Sequence, residues 1–346
     1  MATKNKLSKA VLAILMACAL AALAALAACS SPQASSSSSS STSQVMSVSD
    51  TAKSSAANYP TTGAYNILVL GNDQWESSEP GNPDMICVMR VDLDQHKITL
   101  VTVPRDTRVI NEKGNPDKLN FTMTGKPFDQ QMKLVEEATG IKCDHYVQIH
   151  FDGLEKLVDA IGGLPIDLPF SCDYSFYTED YPNEQFEAGE QTLNGWRAMA
   201  ISRARTGYGD QGLDNQDVIR QYVCREMLTN LMQYAYTGGV EHAAETLTKF
   251  QNLVETDIPL EQQIAWAKKL GETGSIKVLG VTGPYNGSQQ EDAGGMWLVD
   301  TDTEGWSSLV DAIAADGDLS AAVDTYAFNE MPGGLPKSTE TTIKVG

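Results

Sequence analysis

The stretch ITLVTVPRDT at residues 98–107 decides the fold. Its alternating β-branched and apolar residues predict a strand that is buried on at least one face. Pro104 cannot donate to a strand ladder, so the strand ends there and presents Arg105 and Asp106 at the edge of the sheet. A charged pair directly behind a buried strand makes this edge the first candidate for a site.

Two upstream segments predict neighbouring strands. YNILVL is followed within a few residues by Asp73, and MICVMRVD comes directly after Asp84. A short polar turn joins the second segment to the 98–107 stretch, which predicts a hairpin. If the first two strands also run antiparallel, then Asp73, Asp84 and Arg105 lie at the same edge of the sheet. Two carboxylates and a guanidinium at one edge form a candidate site.

The rest of the chain predicts helices packed on this sheet. Residues 144–168 contain a strand, a helix capped by Asp152, a two-glycine stop and a returning strand, which indicates an α/β sandwich. Further helices and short strands follow without a linker-like break. Residues 61–316 are therefore predicted to form one domain, followed by a C-terminal strand or tail at 317–346.

The N-terminal residues predict export and attachment rather than fold. Residues 1–29 contain lysines, an apolar alanine-rich run and a final LAAC, which resembles a bacterial lipobox in which Cys29 is acylated. The alternative is an uncleaved transmembrane anchor, because about 20 apolar residues can span a bilayer. Residues 30–60, with their serine run, predict a disordered tether. Both alternatives place the folded part outside the cytoplasm and next to the membrane.

Charge and cysteine content exclude several functions. The formal net charge is −20, so bulk charge will not attract nucleic acid. No CxxC or Cys/His spacing suggests a zinc site. The four cysteines of the predicted domain are compatible with disulfides or with buried free thiols: Cys87, Cys143, Cys172 and Cys224.

One set of polar residues points to phosphate chemistry. Its members are charged side chains at strand or helix ends: Asp73, Asp84, Arg105, Asp106, Arg203, Arg205 and Arg220. Neighbouring carboxylates repel unless a cation such as Mg²⁺ lies between them, and arginines bind phosphate oxygens bidentately. Mg²⁺ with several arginines suits phosphoryl transfer. From spacing alone, ordinary surface ion pairs remain an open alternative.

An ordered set of short motifs resembles the LytR-CpsA-Psr family. The motifs are NILVLGND, PRDT, DKLN, FDGL, LNG and RAR, in that order and at similar spacing. The resemblance implies an α/β/α sandwich with a mixed central sheet and an apolar cavity for a polyprenyl chain. It also implies an enzyme on the extracytoplasmic face of the cell membrane. That enzyme would be a phosphotransferase, using Mg²⁺ to move a glycopolymer from a polyprenyl-pyrophosphate carrier onto peptidoglycan.

The resemblance also implies roles for individual residues. Asp73 and Asp84 would hold the metal, and Asp106 would orient an arginine. The arginines that would bind the pyrophosphate are Arg105, Arg203, Arg205 and Arg220.

The chain departs from the family pattern at two positions. Asn82 stands where the family usually has an arginine, and the run 214–217, DNQD, lacks a further arginine expected just before Arg220. Two fewer positive charges would weaken pyrophosphate binding. Two alternatives therefore stay open: a non-catalytic carrier-binding or regulatory homologue, and a polyprenyl-pyrophosphate pyrophosphatase.

Overall fold

A computed structural model describes residues 59–73, 80–174, 184–209, 216–325 and 332–346. These residues belong to one compact unit. The predicted signal peptide with Cys29, and nearly all of the predicted tether, lie outside the described residues. Within those ranges, no helix combines the length and apolar character needed to cross a bilayer.

The described residues contain both strands and helices. The strands are β1 (Ala64–Asn72), β2 (Pro83–Asp92), β3 (Lys97–Thr102), β4 (Arg108–Ile110), β5 (Pro116–Lys118), β6 (His145–His150), β7 (Leu164–Leu168), β8 (Cys172–Asp173), β9 (Gln185–Phe186), β10 (Gly189–Leu193), β11 (Val254–Thr256), β12 (Ser275–Thr282), β13 (Gly287–Gln290), β14 (Met296–Val299) and β15 (Ser338–Lys344). The helices are α1 (Leu119–Met123), α2 (Phe128–Thr139), α3 (Phe151–Ala160), α4 (Gly195–Arg203), α5 (Gln216–Tyr236), α6 (Gly239–Phe250), α7 (Leu260–Gly271), α8 (Thr303–Ala314) and α9 (Leu319–Val323).

The centre of the fold is a seven-stranded mixed sheet in the order β11-β6-β1-β2-β3-β12-β15. The pairs β1–β2 and β2–β3 are antiparallel, which confirms both strand pairings predicted from the sequence. The pairs β1–β6 and β3–β12 are parallel. The ends of β1 and β3 and the start of β2 therefore meet at one edge of the sheet, and the segments that follow β1 and β3 carry Asp73 and Arg105.

Each face of the sheet is covered by helices because the strands alternate their side chains between two cores. On one face, Leu68 and Leu70 of β1 pack with residues of α1, α2, α8 and α9. On the other face, Ile67 and Val69 pack with residues of α5, α6 and α7. A third core lies under α3, α4 and α5 with β7 and β10. The architecture is the α/β/α sandwich that the family resemblance implied.

Two details differ from, or add to, the sequence predictions. Helix α3 has His150 as its N-cap residue, so the prediction that Asp152 caps it is wrong; Asp152 lies in the first turn and pairs with Lys156 at 2.7 Å. In the C-terminal segment 317–346, β15 pairs antiparallel with β12. That segment therefore contributes the last strand of the central sheet.

Candidate functional site

A β-bulge gives Asp84 its position. Gly71 pairs with Met85 and Asn72 pairs with Pro83, so Asp84 is the extra residue between two rungs of the β1–β2 ladder. Bulges redirect side chains and often lie beside functional sites. The Asp84 carboxylate is ion-paired with Nη1 of Arg105, and its side chain is only 15 % exposed.

A tight turn fixes Arg105. The Thr107 amide and hydroxyl donate to the Pro104 carbonyl at 3.0 and 2.6 Å, and the Asn120 amide donates to the Arg105 carbonyl at 3.1 Å. The Arg105 side chain is 8 % exposed, so its guanidinium is held within the protein rather than in solvent. The sequence prediction that Pro104 ends the strand and presents Arg105 at the sheet edge is confirmed.

Asp217 of α5 connects Arg105 to Arg220. Its Oδ1 accepts a hydrogen bond from Arg220 Nε at 2.9 Å and lies 3.6 Å from Arg105 Nε. Its Oδ2 accepts from Gln221 Nε2 at 2.9 Å. Asp217, Arg220 and Gln221 are three and four positions apart, so they share one face of the helix. Arg220 is almost fully buried, with 1 % of its side chain exposed.

Asp106 completes this cluster through Lys118. Lys118 Nζ lies 2.9 Å from Asp106 Oδ1, which in turn is 3.8 Å from Arg105 Nε. We call the six side chains the polar cluster: Asp84, Arg105, Asp106, Lys118, Asp217 and Arg220. Three are basic and three are acidic, so their formal charges cancel.

Burial and charge act in opposite directions on the pKa values of the cluster. Burial alone lowers the pKa of Arg105, but the carboxylates of Asp217, Asp84 and Asp106 outweigh it and raise that pKa above its ordinary value. Burial alone raises the pKa of Asp217, but Arg220 and Arg105 outweigh it and lower that pKa to about 2. Both arginines and Asp217 are therefore charged at neutral pH.

Asp73, the first predicted metal ligand, closes the turn between β1 and β2. Its Oδ1 accepts from the Asn82 amide at 2.5 Å, and its own amide donates to the Asn82 carbonyl at 3.1 Å. The Asn82 side-chain oxygen accepts from the Thr124 hydroxyl at 2.6 Å. Asn82 therefore holds Asp73 and α1 in place. It stands at one of the positions that depart from the family pattern.

Arg203 and Arg205 have different surroundings. Arg203 is the last residue of α4, and its guanidinium lies 4.7 Å from the centre of the Phe151 ring. Arg205 follows after one extended residue and is exposed. The structure thus joins Arg105 and Arg220 in the polar cluster, and it places Arg203 against an aromatic ring of α3.

An apolar cavity of about 200 Å³ lies beside the polar cluster. Its walls come from β1, β2, β6, β11, α3, α4 and α5, and nearly all of the lining surface is carbon. Asp84 lines this cavity and also contacts Arg105, while Phe151 lines it and also contacts Arg203. The cavity and the arginines therefore form one continuous site.

The four cysteines of the domain are buried free thiols, which settles the alternative left open by the sequence. Burial raises the pKa of Cys87, Cys143 and Cys172 to about 12. Burial also raises the pKa of Cys224, a cavity-lining residue, to about 11. Because the thiols stay protonated at neutral pH, they act as small apolar side chains.

Two members of the polar cluster were not predicted as site residues. Lys118 looks exposed in a turn-rich loop of the sequence, yet it is only 15 % exposed and pairs with Asp106. Asp217 belongs to the run that lacks an expected arginine. Its three- and four-residue spacing to Arg220 and Gln221 is the signal that could have identified it.

The carboxylates present fit one of the two ways in which proteins hold Mg²⁺. Among the described residues, no group of three or more His, Cys, Asp or Glu side chains could enclose a metal ion. Mg²⁺ in phosphoryl-transfer sites is instead bound by one or two carboxylates together with substrate phosphates. Asp84, which is ion-paired with Arg105, and Asp73, on the other side of the Asn72–Pro83 rung, suit this second mode.

An α/β/α sandwich with an apolar cavity beside buried, paired arginines is the class of protein that the fold and the site define. The particular family follows from comparison with known proteins. The model of the LytR_cpsA_psr family matches residues 32–309, and the chain belongs to this family.

Curated relatives are transferases by name. The chain is 30% identical over 215 residues to the polyisoprenyl-teichoic acid–peptidoglycan teichoic acid transferase TagU of Halalkalibacterium halodurans, covering 62% of this chain and 66% of the relative. It is 26% identical over 227 residues to TagV of Bacillus subtilis, covering 63% and 56%. The match thus spans less than two thirds of the length of these two relatives.

Solved structures share the fold. The crystal structure of B. subtilis TagV superposes with a TM-score of 0.58 at 22% identity, covering 78% of this chain and 100% of that one. The structure of TagT bound to LIIa-WTA superposes with a TM-score of 0.59 at 17% identity, covering 74% and 92%.

Proposed function

We propose that this protein transfers a glycopolymer, with its phosphate, from a polyprenyl-pyrophosphate carrier onto peptidoglycan outside the cytoplasm. The observation that carries the proposal is the continuity of the apolar cavity with the polar cluster through Asp84. A polyprenyl pyrophosphate has the matching division into an apolar chain and a doubly phosphorylated head. The names of the relatives support the same chemistry.

The residues suggest how the transfer would proceed. Arg105 and Arg220 would bind the pyrophosphate, and the cavity would hold the first units of the polyprenyl chain. The acceptor hydroxyl oxygen would bond to the phosphorus that carries the glycopolymer, and the bond from this phosphorus to the bridging oxygen would break. Polyprenyl monophosphate would leave with the electron pair, and the hydroxyl proton would pass to solvent. Arg105 would neutralise the charge that develops on the leaving phosphate.

Mg²⁺ belongs to the proposal as a cofactor held by Asp73 and Asp84. A bound Mg²⁺ would neutralise charge on the phosphate oxygens. Replacement of Asp84 by Asn, or of Asp73 by Asn, should raise the Mg²⁺ concentration needed for half-maximal transfer. Asp92→Asn, in the distal part of β2, is the matched control. An unchanged Mg²⁺ requirement in both site variants would contradict this assignment.

The decisive experiment uses the full-length protein in detergent micelles. It is given a glycopolymer on polyprenyl pyrophosphate, Mg²⁺ and peptidoglycan fragments, and polyprenyl monophosphate and polymer-bearing peptidoglycan are measured. We expect both products to appear only when the acceptor is present. Arg108→Ala is a matched arginine control, because the Arg108 guanidinium pairs with Asp292 and not with a carboxylate of the polar cluster.

The cancelled charge of the polar cluster favours a second candidate, a carrier-binding homologue without turnover. In that case no polyprenyl monophosphate would form in this assay, although a titration would show that the carrier binds. A polyprenyl-pyrophosphate pyrophosphatase would instead release monophosphate without any peptidoglycan acceptor. The assay, together with the carrier titration, therefore separates the three activities.

We also propose that the protein is anchored to the membrane through a lipid on Cys29. The lipobox-like sequence supports this placement, as does a substrate whose apolar chain resides in a bilayer. Labelling of cells with a fatty-acid analogue should mark the wild-type protein and leave Cys29→Ala unlabelled. Equal labelling of the two proteins would overturn the anchor.

A further inference from the structure

Asp217 occupies an unusual position for a carboxylate in a site proposed to bind pyrophosphate. Its side chain is only 10 % exposed, and it contacts both arginines of the polar cluster. A negative charge so close to a bound phosphate should repel it, because like charges repel strongly where little water is present to screen them. Asp217 must therefore make an interaction that offsets this repulsion.

The atoms that Asp217 contacts indicate what this offsetting interaction is. It binds Arg220 through Nε at 2.9 Å and approaches Arg105 through Nε at 3.6 Å. Neither terminal nitrogen of Arg220 donates to an oxygen acceptor within the described residues, although this side chain is 99 % buried. A guanidinium held by Nε can still offer its two terminal nitrogens to a phosphate.

Gln221 fixes the carboxylate itself. Its amide nitrogen donates to Asp217 Oδ2 at 2.9 Å, so the two carboxylate oxygens have separate partners. Asp217 also lies in the first turn of α5, where the helix dipole favours a negative charge. The carboxylate is thus held from one side by its own helix and faces Arg105 on the other.

We propose that Asp217 is a positioning residue, which holds Arg220 and Arg105 by their Nε atoms so that the terminal nitrogens of Arg220 face the pyrophosphate. This inference rests on the proposed function. Asp217 does not touch the reacting atoms and acts through the two arginines.

The proposal predicts the opposite sign from simple electrostatics. If Asp217 only adds negative charge, its removal should strengthen binding of an anion. If it positions the arginines, Asp217→Ala should weaken binding of inorganic pyrophosphate with Mg²⁺ by roughly tenfold, the equivalent of one charge-assisted hydrogen bond. Calorimetric titration of the full-length protein measures this affinity.

Conservative variants separate positioning from charge and from folding. Asp217→Asn can still accept from Arg220 Nε, and Gln221 can turn its unbonded amide oxygen toward the new amide, so we expect near wild-type affinity. Asp217→Glu keeps the charge but moves the carboxylate, so we expect weaker binding. Asp302→Ala removes the capping bond of α8 to the Gly305 amide and serves as a control for lost stability.

A coupled variant tests whether Asp217 acts through Arg220. In an Arg220→Lys background, which lacks the guanidinium Nε, Asp217→Ala should weaken binding less than it does in the wild-type protein, because only the contact with Arg105 is then lost. Unchanged or tighter binding by Asp217→Ala, or wild-type affinity in Asp217→Glu, would overturn the positioning role while leaving the proposed function intact. Failure of the wild-type protein to bind pyrophosphate would overturn both proposals.

Discussion

The polar cluster and the apolar cavity share a wall but differ in how they are built. The polar cluster consists of charged side chains that hold one another at fixed contacts, with Asp217 between two arginines. The cavity consists of carbon surface from seven separate elements. The polar cluster can therefore recognise a head group by geometry, whereas the cavity can recognise only the size and apolarity of a tail. Variants that affect one region and spare the other would test this division.

Arg105→Ala should give the largest effect of these variants, and it changes the polar cluster but not the cavity. Loss of a buried, charge-assisted contact should reduce the transfer rate or the carrier affinity roughly ten- to a few-hundred-fold. Arg105→Lys should recover only part of this loss, because an ammonium lacks the planar fork. Transfer kinetics on the full-length protein measure the effect, with Arg108→Ala as control. An Arg105→Ala variant with wild-type kinetics would remove this residue from the site.

Leu231→Trp should affect the cavity alone. Leu231 lines the cavity on α5, and a larger side chain there would exclude part of the polyprenyl tail. Displacement of roughly two methylene groups from apolar contact costs about 1.6 kcal/mol, or about tenfold in carrier affinity. The affinity for inorganic pyrophosphate should not change. Ile110→Trp, at an exposed position, is the control. Equal losses for carrier and pyrophosphate would show that the two regions are not separable.

Asn82→Arg should strengthen carrier binding several-fold by adding a positive charge beside the polar cluster. The same change removes one of two acceptors of the Thr124 hydroxyl, which also lies 3.0 Å from the Asn120 carbonyl, so the free energy of unfolding should fall by at most about 1 kcal/mol. Carrier titration and urea unfolding measure the two effects. Asn115→Arg adds the same charge on an exposed loop and should leave carrier affinity unchanged. Weaker binding by Asn82→Arg would mean that the contacts made by Asn82, rather than the local charge, decide the affinity for the carrier.

The smallest expected effect is on acid stability. The pKa of Asp217 is lowered from 3.8 to about 2 in the folded protein, so its stabilising contribution is fully present above about pH 4 and is lost as pH falls toward 2. The difference in free energy of unfolding between wild type and Asp217→Asn should therefore shrink over this interval. Urea unfolding at several pH values measures it. A difference that stays constant down to pH 2 would contradict the low pKa.

The sequence by itself determined the central strands and the place of Arg105. Alternation of apolar residues has the period of a strand, and a proline must end the ladder, so both signals are local. They were enough to predict the β1–β2–β3 pairing and the approach of Asp84 to Arg105. The family motifs supplied the remaining arginines, although they gave no measure of how differently Arg203 and Arg205 are exposed.

Only the tertiary structure decided the partners of those residues. Asp217 lies more than a hundred positions after Arg105, and Lys118 reaches Asp106 from the next hairpin, so no local pattern records either contact. The bulge that turns Asp84 toward Arg105 depends on the register between two strands. The cavity likewise exists only where seven elements pack with space left between them. Charge pairing and packing act across the folded chain, because they depend on distances in space rather than on positions in the sequence.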